Sequence, residues 1–475
     1  MEKVYTSLNE IKEDINNNKV NCVQLVQSYL ARIEENKHLN AFLEVFTDDA
    51  LASAKEIDEK IANGTAGKLA GMVVAIKDNI CYKNHKVSSS SKILEGFESL
   101  FSSTAVERLI AEDAIIIGRT NCDEFAMGSS NENSAYGPVL NAIDNTKVPG
   151  GSSGGSAVAV QANLCLASLG SDTGGSVRQP ASFCNVIGMK PTYGRVSRHG
   201  LVAYASSFDQ IGPFTHSIED MALITEVISG GDEYDTTCSK REVPNLSDNL
   251  NLDKKLKLTY FKSYIENDGL DLEVKSRFYE IIEKLKAEGH TVEETEFEYL
   301  DYLVPTYYVL TTAEASSNLA RFDGIHYGYR SPNATDLEST YKLSRTEGFG
   351  KEVKRRIMLG TYVLSAGFYD AYYAKGQKVR RLIKDKTEEV LSQYDFILTP
   401  TSPHTPFDIG KQNNDQIKMY LEDIYTAQAP IAGIPAISLP LGQHSNGLPF
   451  GIQVMAKSFG EQELLAFSKY LMNNN

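Results

Sequence analysis

The hydrophobic positions near the amino terminus recur every three or four residues, the spacing of one face of a helix. After Asn21 the apolar side chains on this face are Val23, Val26, Tyr29, Leu30 and Ile33. Ser7 and Glu10 have the spacing of a capping box at an earlier helix start. We therefore predict helices over about residues 1–65 that pack against the rest of the protein.

From Gly71 onward the pattern changes to short apolar runs separated by glycine-rich turns. Runs of this length that are bounded by turn signals are typical of strands, and they cover residues 72–76, 114–117 and 164–169. A helical pattern lies between them at 104–112. Because strands and helices alternate, we predict an α/β fold.

The second half of the chain continues this mixture after a polar connector. Helices are predicted around 274–285, over 306–321 and over 350–391, with a loop at 324–339 and strands at 291–292 and 395–398. Segment 433–455 alternates short apolar runs with Pro and Gly, so it should add strands to the first sheet. There is no internal repeat or low-complexity linker, which favours a single large domain.

Composition is that of a folded protein without a membrane segment. Of 475 residues, 42% are hydrophobic and 23% charged, and no apolar run is long enough to cross a bilayer. The amino terminus reads MEKVYTSLNEIKED, with acidic residues where a secretory signal needs a basic and then an apolar stretch. We therefore expect a cytoplasmic protein.

Charge and cysteine content exclude several kinds of site. A net charge of −15 disfavours nonspecific binding to a polyanion, so any nucleic acid should be held mainly by a partner. The six cysteines form no C-x-x-C pair, which argues against a zinc site or a disulfide framework. We expect no metal and no cofactor in this chain.

Two glycine-serine clusters, at 150–156 and 172–176, are the strongest candidates for a site. Glycine permits backbone angles closed to other residues and lets amide groups approach a ligand. By composition alone these clusters could be flexible turns. A phosphate-binding loop is excluded because neither cluster contains Gly-Lys-Ser/Thr. Lys77 ends an apolar run, where a lysine is usually a solvated charge. Because the chain also contains two serine clusters, Lys77 is a candidate catalytic residue.

These segments resemble the amidase signature family over about residues 67–214. The matching text is GMVVAIKD at 71–78, PGGSSGGS at 149–156, GSDTGGSVRQPAS at 170–182 and GMKPTYGRVSRHG at 188–200. The resemblance implies one domain over 1–475, in which helices cover both faces of a central mixed sheet. It also implies that Ser176 is the nucleophile and that Lys77 is the base. Ser152, which is usually held by a cis peptide, would be the serine that bridges these two residues.

The chemistry of these three residues is consistent with amide hydrolysis. A serine hydroxyl attacks only when a neighbour takes its proton, and a lysine can do so only when it is neutral. Ser152 can donate and accept at once, so it could relay the proton. The oxyanion formed by attack needs donors, and we predict the backbone amides of Thr173, Gly174 and Gly175, with that of Ser176.

A histidine-based hydrolase is the main alternative mechanism. His199 and His216 are the histidines nearest the clusters, but neither lies in a supporting motif and no G-x-S-x-G elbow is present. Cys165 and Cys184 lie in apolar or helical sequence and are interpreted as buried packing residues. Relatives often carry glycine at the position of Asn185, so the sequence does not determine the geometry of this turn.

Three later segments, at 314–324, 352–361 and 420–423, are similar to the A subunits of glutamyl-tRNA(Gln) amidotransferases. This resemblance implies a glutaminase that supplies ammonia to its B and C partner subunits, with ATP, Mg²⁺ and Glu-tRNA(Gln) bound mainly by the partner. It also implies a glutamine pocket formed by Tyr307, Arg356 for the α-carboxylate and Asp423 for the α-ammonium. The neighbours Arg355 and Glu422 are alternatives for the two charged positions.

Two other functions remain open from the sequence. A free-standing amidase for another small carboxamide would share Lys77, Ser152 and Ser176 but would not need a pair of opposite charges for glutamine. A scaffold protein without activity could keep the fold, although the presence of all three residues argues against it.

Overall fold

The computed structural model describes residues 3–411 and 422–475, so Tyr420 and Leu421 of the third amidotransferase-like segment lie outside the described residues. The strands are β1 Phe42–Val45, β2 Val73–Lys77, β3 Ile115–Thr120, β4 Ala167–Asp172, β5 Ile187–Lys190, β6 Gln210–Thr215, β7 Lys257–Phe261, β8 Thr291–Thr295, β9 Phe396–Pro400, β10 Ala436–Gln443 and β11 Pro449–Ala456. The α-helices are α1 Leu8–Asn16, α2 Cys22–Glu35, α3 Thr47–Ala62, α4 Thr104–Ala111, α5 Gly154–Gln161, α6 Arg178–Phe183, α7 Ile218–Ile228, α8 Lys262–Ile265, α9 Leu272–Ala287, α10 Leu300–Asn318, α11 Leu337–Gly348, α12 Lys351–Val363, α13 Lys375–Gln393, α14 Ile424–Ala432 and α15 Glu461–Asn474.

All eleven strands form one mixed sheet in the order β1-β3-β2-β4-β6-β5-β10-β11-β9-β7-β8. Strand β2 is parallel to both β3 and β4, whereas β5 joins the last segment of the chain through an antiparallel pairing with β10. The prediction that segment 433–455 extends the first sheet is therefore confirmed. The α/β class and the central mixed sheet are confirmed as well.

Helices cover both faces of this sheet. Every residue of β2, β3 and β4 is buried, and side chains alternate between the two faces of a strand, so both faces must be covered. Helices α3, α5, α6, α7, α9 and α15 pack directly on strands. Within the described residues, no helix is both long and apolar enough to cross a membrane.

Local signals explain several helix starts. Asn21 caps α2 and forms a capping box with Gln24. Ser7 accepts a hydrogen bond from the Glu10 amide as predicted, but the Glu10 carboxylate accepts from the Thr6 amide instead of completing the box at Ser7. Asn185 adopts a left-handed backbone with φ of 56°, a conformation that asparagine tolerates better than most residues, so it can replace glycine there.

The prediction of a single helix over 350–391 is wrong. The structure contains α12, a π-helical turn at Tyr369–Ala374 and then α13. Gly367 between them has a φ of +87°, which ends a right-handed helix and lets the chain turn. The loop predicted at 324–339 also ends early, because α11 begins at Leu337 with Asp336 as its cap.

Candidate active site

The sheet brings the two glycine-serine clusters to Lys77. Lys77 is the last residue of β2, and the parallel neighbour β4 ends at Asp172, so the carboxyl ends of both strands meet at one edge of the sheet. The 172–176 cluster continues from β4 at this edge. The 150–156 cluster leads into α5, which packs on β2 and β4.

Lys77 is fully buried among three serine hydroxyls. Its Nζ lies 2.7 Å from Ser152 Oγ, 2.9 Å from Ser153 Oγ and 2.9 Å from Ser171 Oγ. No part of Lys77 is exposed to solvent. Burial lowers the pKa of Lys77 below its usual value, because a charged ammonium loses its hydration in this position. The neutral amine, the form that can accept a proton, is therefore easier to reach here than in a solvated lysine.

The hydrogen bonds around Lys77 can accommodate a neutral amine. Ser153 Oγ donates to the Ser171 carbonyl at 3.2 Å, so it must accept from Lys77. Ser171 Oγ accepts from Asn79 Nδ2 at 2.9 Å and can accept a second hydrogen from the amine. If both hydrogens of a neutral amine bind Ser153 and Ser171, its lone pair is left for Ser152 Oγ at 2.7 Å, whereas a protonated Lys77 would donate its third hydrogen there.

Ser153, Ser171 and Asn79 were missed by the sequence analysis. The signal was available, since Ser153 follows Ser152, and Ser171 lies in the strand that ends in the second cluster. A buried amine needs acceptors for its hydrogens, and serine is the small residue that provides one.

Ser152 and Ser176 lie on backbones that contact each other. The Gly151–Ser152 peptide is cis, as the resemblance implied. The Ser153 amide donates to the Ser176 carbonyl at 3.2 Å, and Ser176 lines a cleft with an exposed fraction of 8%. Between the side chains of the described residues, no hydrogen bond links the hydroxyls of Ser152 and Ser176. The proton relay through these two residues remains a prediction.

The backbone before Ser176 forms a turn in which some amide groups donate hydrogen bonds within the protein and others do not. Gly175 has a φ of +135° and its amide donates to Asp172 Oδ1 at 2.9 Å. This bond is at odds with the prediction that the Gly175 amide also serves an oxyanion. In the described part of the chain, the amides of Thr173, Gly174 and Ser176 donate no hydrogen bond, and of these residues Gly174 and Ser176 line the cleft.

Asp172 and Arg178 form a buried brace beneath this turn. The guanidinium donates from Nε to Asp172 Oδ2 at 3.0 Å and from Nη2 to Oδ1 at 2.9 Å. Its Nη1 reaches the Thr426 carbonyl and Gln453, so Arg178 also ties the turn to α14 and β11. The cation overcomes the effect of burial and keeps the pKa of Asp172 below its usual value. The sequence analysis did not single out either residue.

Arg178→Met is expected to lower the free energy of unfolding by about 3–5 kcal/mol, because it leaves the Asp172 carboxylate buried without its cation. Urea unfolding followed by circular dichroism measures the change. Arg381→Met is the matched control, since the Arg381 side chain is 73% exposed and pairs only with Asp385 on the surface. Equal effects of the two substitutions would contradict the brace.

A cleft beside Ser176 contains the three residues predicted for glutamine binding. Tyr307, Arg356 and Asp423 line it together with Gly174, Gly175 and Ser176. Tyr307 lies against Gly174, where a Cβ atom would clash with the tyrosine hydroxyl. The cleft therefore places an arginine and an aspartate on the walls around the candidate nucleophile.

Both charged residues are held by neighbours that the sequence analysis missed. Arg356 Nε donates to Glu352 Oε1 at 2.8 Å, and its Nη1 donates to the Tyr204 hydroxyl at 2.9 Å. The Tyr308 hydroxyl donates to Asp423 Oδ2 at 2.5 Å. Burial raises the pKa of Asp423 to about 7. Glu352 could have been found from its position one helical turn before Arg356.

The alternatives Arg355 and Glu422 do not line the cleft. Arg355 is part-exposed and pairs with the second oxygen of Glu352. Glu422 lies 2.9 Å from His404 Nε2, in a neighbouring pocket. Of the two adjacent arginines, Arg356 therefore lies at the candidate substrate site. Of the two adjacent acidic residues, Asp423 lies there.

The histidines near the clusters have other surroundings. His199 stacks between the rings of Phe101 and Tyr234, and His216 contacts the Val160 carbonyl. Neither lines the cleft that contains Ser176.

Cys165 and Cys184 are buried, and burial raises the pKa of both thiols. Across residues 3–411 and 422–475, no group of three or more His, Cys, Asp and Glu side chains could hold a metal ion.

Known proteins share this architecture over nearly the whole chain. The family model described as Amidase matches residues 24–465. The A subunit of glutamyl-tRNA(Gln) amidotransferase from Chlorobaculum parvum is 50% identical over 97% of this chain and 96% of its own. The crystal structure of the same kind of protein from Thermotoga maritima has a TM-score of 0.78 and 41% identity, covering 96% of this chain and 95% of that one.

A solved peptide amidase from Stenotrophomonas maltophilia is more distant, with 27% identity and a TM-score of 0.80 over 98% of this chain and 95% of its own. Its fold is nevertheless the same. Both the match over 24–465 and the half-identical relatives support one conclusion. The chain belongs to the Amidase family.

Proposed function

We propose that this chain is the glutaminase component of a tRNA-dependent amidotransferase that converts Glu-tRNA(Gln) to Gln-tRNA(Gln). The observation that carries the proposal is the pair of opposite charges, Arg356 and Asp423, on the cleft that contains Ser176. The half-identical relatives that carry the name of this amidotransferase support the same assignment.

Glutamine is the amide that matches these charges. At its α-carbon it carries a carboxylate and an ammonium, which require one cation and one anion in the pocket. Arg356 supplies the cation for the carboxylate, and its guanidinium is oriented by Glu352 and the Tyr204 hydroxyl. Asp423 receives the ammonium, and Tyr308 holds its carboxylate in place. The side-chain amide of the substrate then extends toward Ser176.

The reaction proceeds by acyl transfer. Ser176 Oγ forms a bond to the amide carbon, its proton moves to Ser152 Oγ, and the Ser152 proton moves to the neutral amine of Lys77. The amides of Gly174 and Ser176, which line the cleft, stabilise the oxyanion. Return of the proton to the amide nitrogen breaks the carbon–nitrogen bond and releases ammonia. Water activated by the same route hydrolyses the glutamyl ester on Ser176 to glutamate.

The remaining steps belong to the partners. The B and C subunits complete the complex, in which the partner uses ATP and Mg²⁺ to activate the glutamyl group and receives the ammonia. The net charge of −15 supports a division of labour in which the partner holds most of the tRNA. No cofactor is assigned to this chain, and the complex is expected in the cytoplasm.

The test is ammonia release from glutamine by the purified chain with its partner subunits. Glu-tRNA(Gln) and ATP are expected to stimulate release, and Gln-tRNA(Gln) should form in equal amount. A chain that hydrolyses a peptide amide faster than glutamine, without any response to tRNA and ATP, would instead support a free-standing amidase like the peptide amidase it resembles.

The KM for glutamine is expected to fall as the pH rises from 6 to 8. Asp423 binds the ammonium only as an anion, and its pKa of about 7 means that it becomes ionised over this interval. Steady-state kinetics should show a KM about 5–10-fold higher at pH 6 than at pH 8. Asp423→Asn should give a high KM at both values, whereas Glu422→Gln should keep the wild-type dependence. A pH-independent KM in the wild type would contradict this role.

A further inference from the structure

An exposed aromatic patch lies at the carboxyl end of α12 and in the π-helical turn that follows. Of the twenty large hydrophobic side chains that are exposed in the described residues, six lie between 358 and 372. Met358 is 72% exposed and Tyr369 is 47% exposed, and the π-helical turn has no buried residue. We define the aromatic patch as Met358, Leu359, Tyr362, Phe368, Tyr369 and Tyr372. Such concentrated apolar exposure is typical of an interaction surface.

The rings of the aromatic patch pack against one another. The centroids of Tyr362 and Phe368 are 4.3 Å apart, and that of Tyr372 lies 5.9 Å from the first ring and 6.0 Å from the second. Met358 is one helical turn before Tyr362, so it extends the same face. Rings that are already in contact form a continuous apolar surface, whereas nucleic-acid bases stack on separate, accessible ring faces. The patch therefore favours a protein over RNA.

The surroundings of the aromatic patch are basic, in contrast to the chain as a whole. Residues 351–386 contain ten Lys and Arg and three Asp and Glu, and five of these cations form salt bridges. Lys351, Lys375 and Lys378 are exposed and form no salt bridge within the described residues. A partner that covers the aromatic patch would gain affinity and a faster encounter from carboxylates around its own apolar face.

Helix α12 also connects the aromatic patch to the candidate glutamine pocket. Arg356 points from the buried side of α12 into the cleft, whereas Met358 and Tyr362 are on its exposed side. The helix is seated closely on α10, because a Cβ atom at Gly360 would clash with the Thr312 carbonyl. Helix α10 carries Tyr307, a second wall of the cleft. A protein bound to the aromatic patch would thus hold the helix that positions Arg356.

We propose that the aromatic patch is the docking surface for a partner subunit of the amidotransferase, which presents an apolar face with an acidic rim. This inference rests on the proposed function.

The test compares two double variants of the full chain by calorimetric titration with the purified partner subunits. Tyr362→Glu with Phe368→Glu is expected to weaken association at least about 10-fold, because charges replace the apolar centre of the surface. Leu100→Glu with Leu272→Glu is the matched control, since these leucines are 83% and 80% exposed and lie outside the aromatic patch. The control should bind as the wild type does, and thermal unfolding checks that both variants are folded.

A third variant, Lys375→Glu with Lys378→Glu, avoids the ring packing altogether. It should weaken association in about 50 mM salt, and the loss should largely disappear in about 1 M salt. Wild-type affinity of both the aromatic and the lysine variants would overturn the proposal. Loss of tRNA binding by the isolated chain, with association of the subunits unchanged, would overturn it in favour of RNA. Failure of the proposed function is distinct, because the wild-type complex would then assemble without forming Gln-tRNA(Gln).

Discussion

Ser176→Ala is expected to abolish glutamine hydrolysis and to leave folding and assembly of the complex unchanged. In the proposed mechanism the Ser176 hydroxyl oxygen forms the acyl bond, so its removal leaves Ser152 and Lys77 without a nucleophile to activate. Loss of a serine nucleophile commonly lowers kcat by about 10⁴-fold or more. Ser176 is at the cleft surface and its side chain donates no hydrogen bond in the described part of the chain, so alanine costs little stability. Ammonia release from glutamine measures the loss.

Ser156→Ala provides the matched control for this substitution. Ser156 belongs to the first glycine-serine cluster and is buried, but its hydroxyl pairs with Thr120 and the Leu169 carbonyl instead of Lys77. This variant should lose some stability and keep most of its turnover. Retained turnover in Ser176→Ala would show that the nucleophile is another residue.

Lys77→Arg and Lys77→Met are both expected to lower kcat by about 10³-fold or more. Arginine remains protonated at every accessible pH and so cannot accept the Ser152 proton, whereas methionine fills the space without any basic atom. In the wild type, kcat should rise with pH through the lowered pKa of Lys77, because the neutral amine is the active form. The residual activity of either variant should lack this rise. Steady-state rates at about pH 6 to 9 measure both effects.

Lys190→Met is the control for losing a buried lysine. Lys190 ends β5, is also buried, and has a pKa that burial lowers to about 7, but its Nζ donates to the Pro191 carbonyl. Its replacement should change kcat far less than replacement of Lys77. Similar losses at the two positions would mean that the effect at Lys77 is structural and that the base lies elsewhere.

The sequence by itself determined the elements whose signals are local. Apolar runs predicted β2, β3 and β4 to within a few residues, because a strand buried on both faces needs an unbroken apolar run. The candidate chemistry of Lys77, Ser152 and Ser176 came from the resemblance of their ordered motifs to the amidase signature family. A break within 350–391 was not found, because helical spacing continues on both sides of Gly367 and the π-helical turn has no simple periodic signal.

Only the tertiary structure decided which of two like neighbours lines the cleft that contains Ser176. Arg355 and Arg356 have the same charge and helix propensity, and so do not differ in any local pattern; packing of α12 on α10 turns one of them into the cleft. The acceptors Ser153 and Ser171 of Lys77 likewise depend on contacts between segments that are far apart in the sequence. These contacts arise when β2 and β4 pair, and no local pattern of residues contains that geometry.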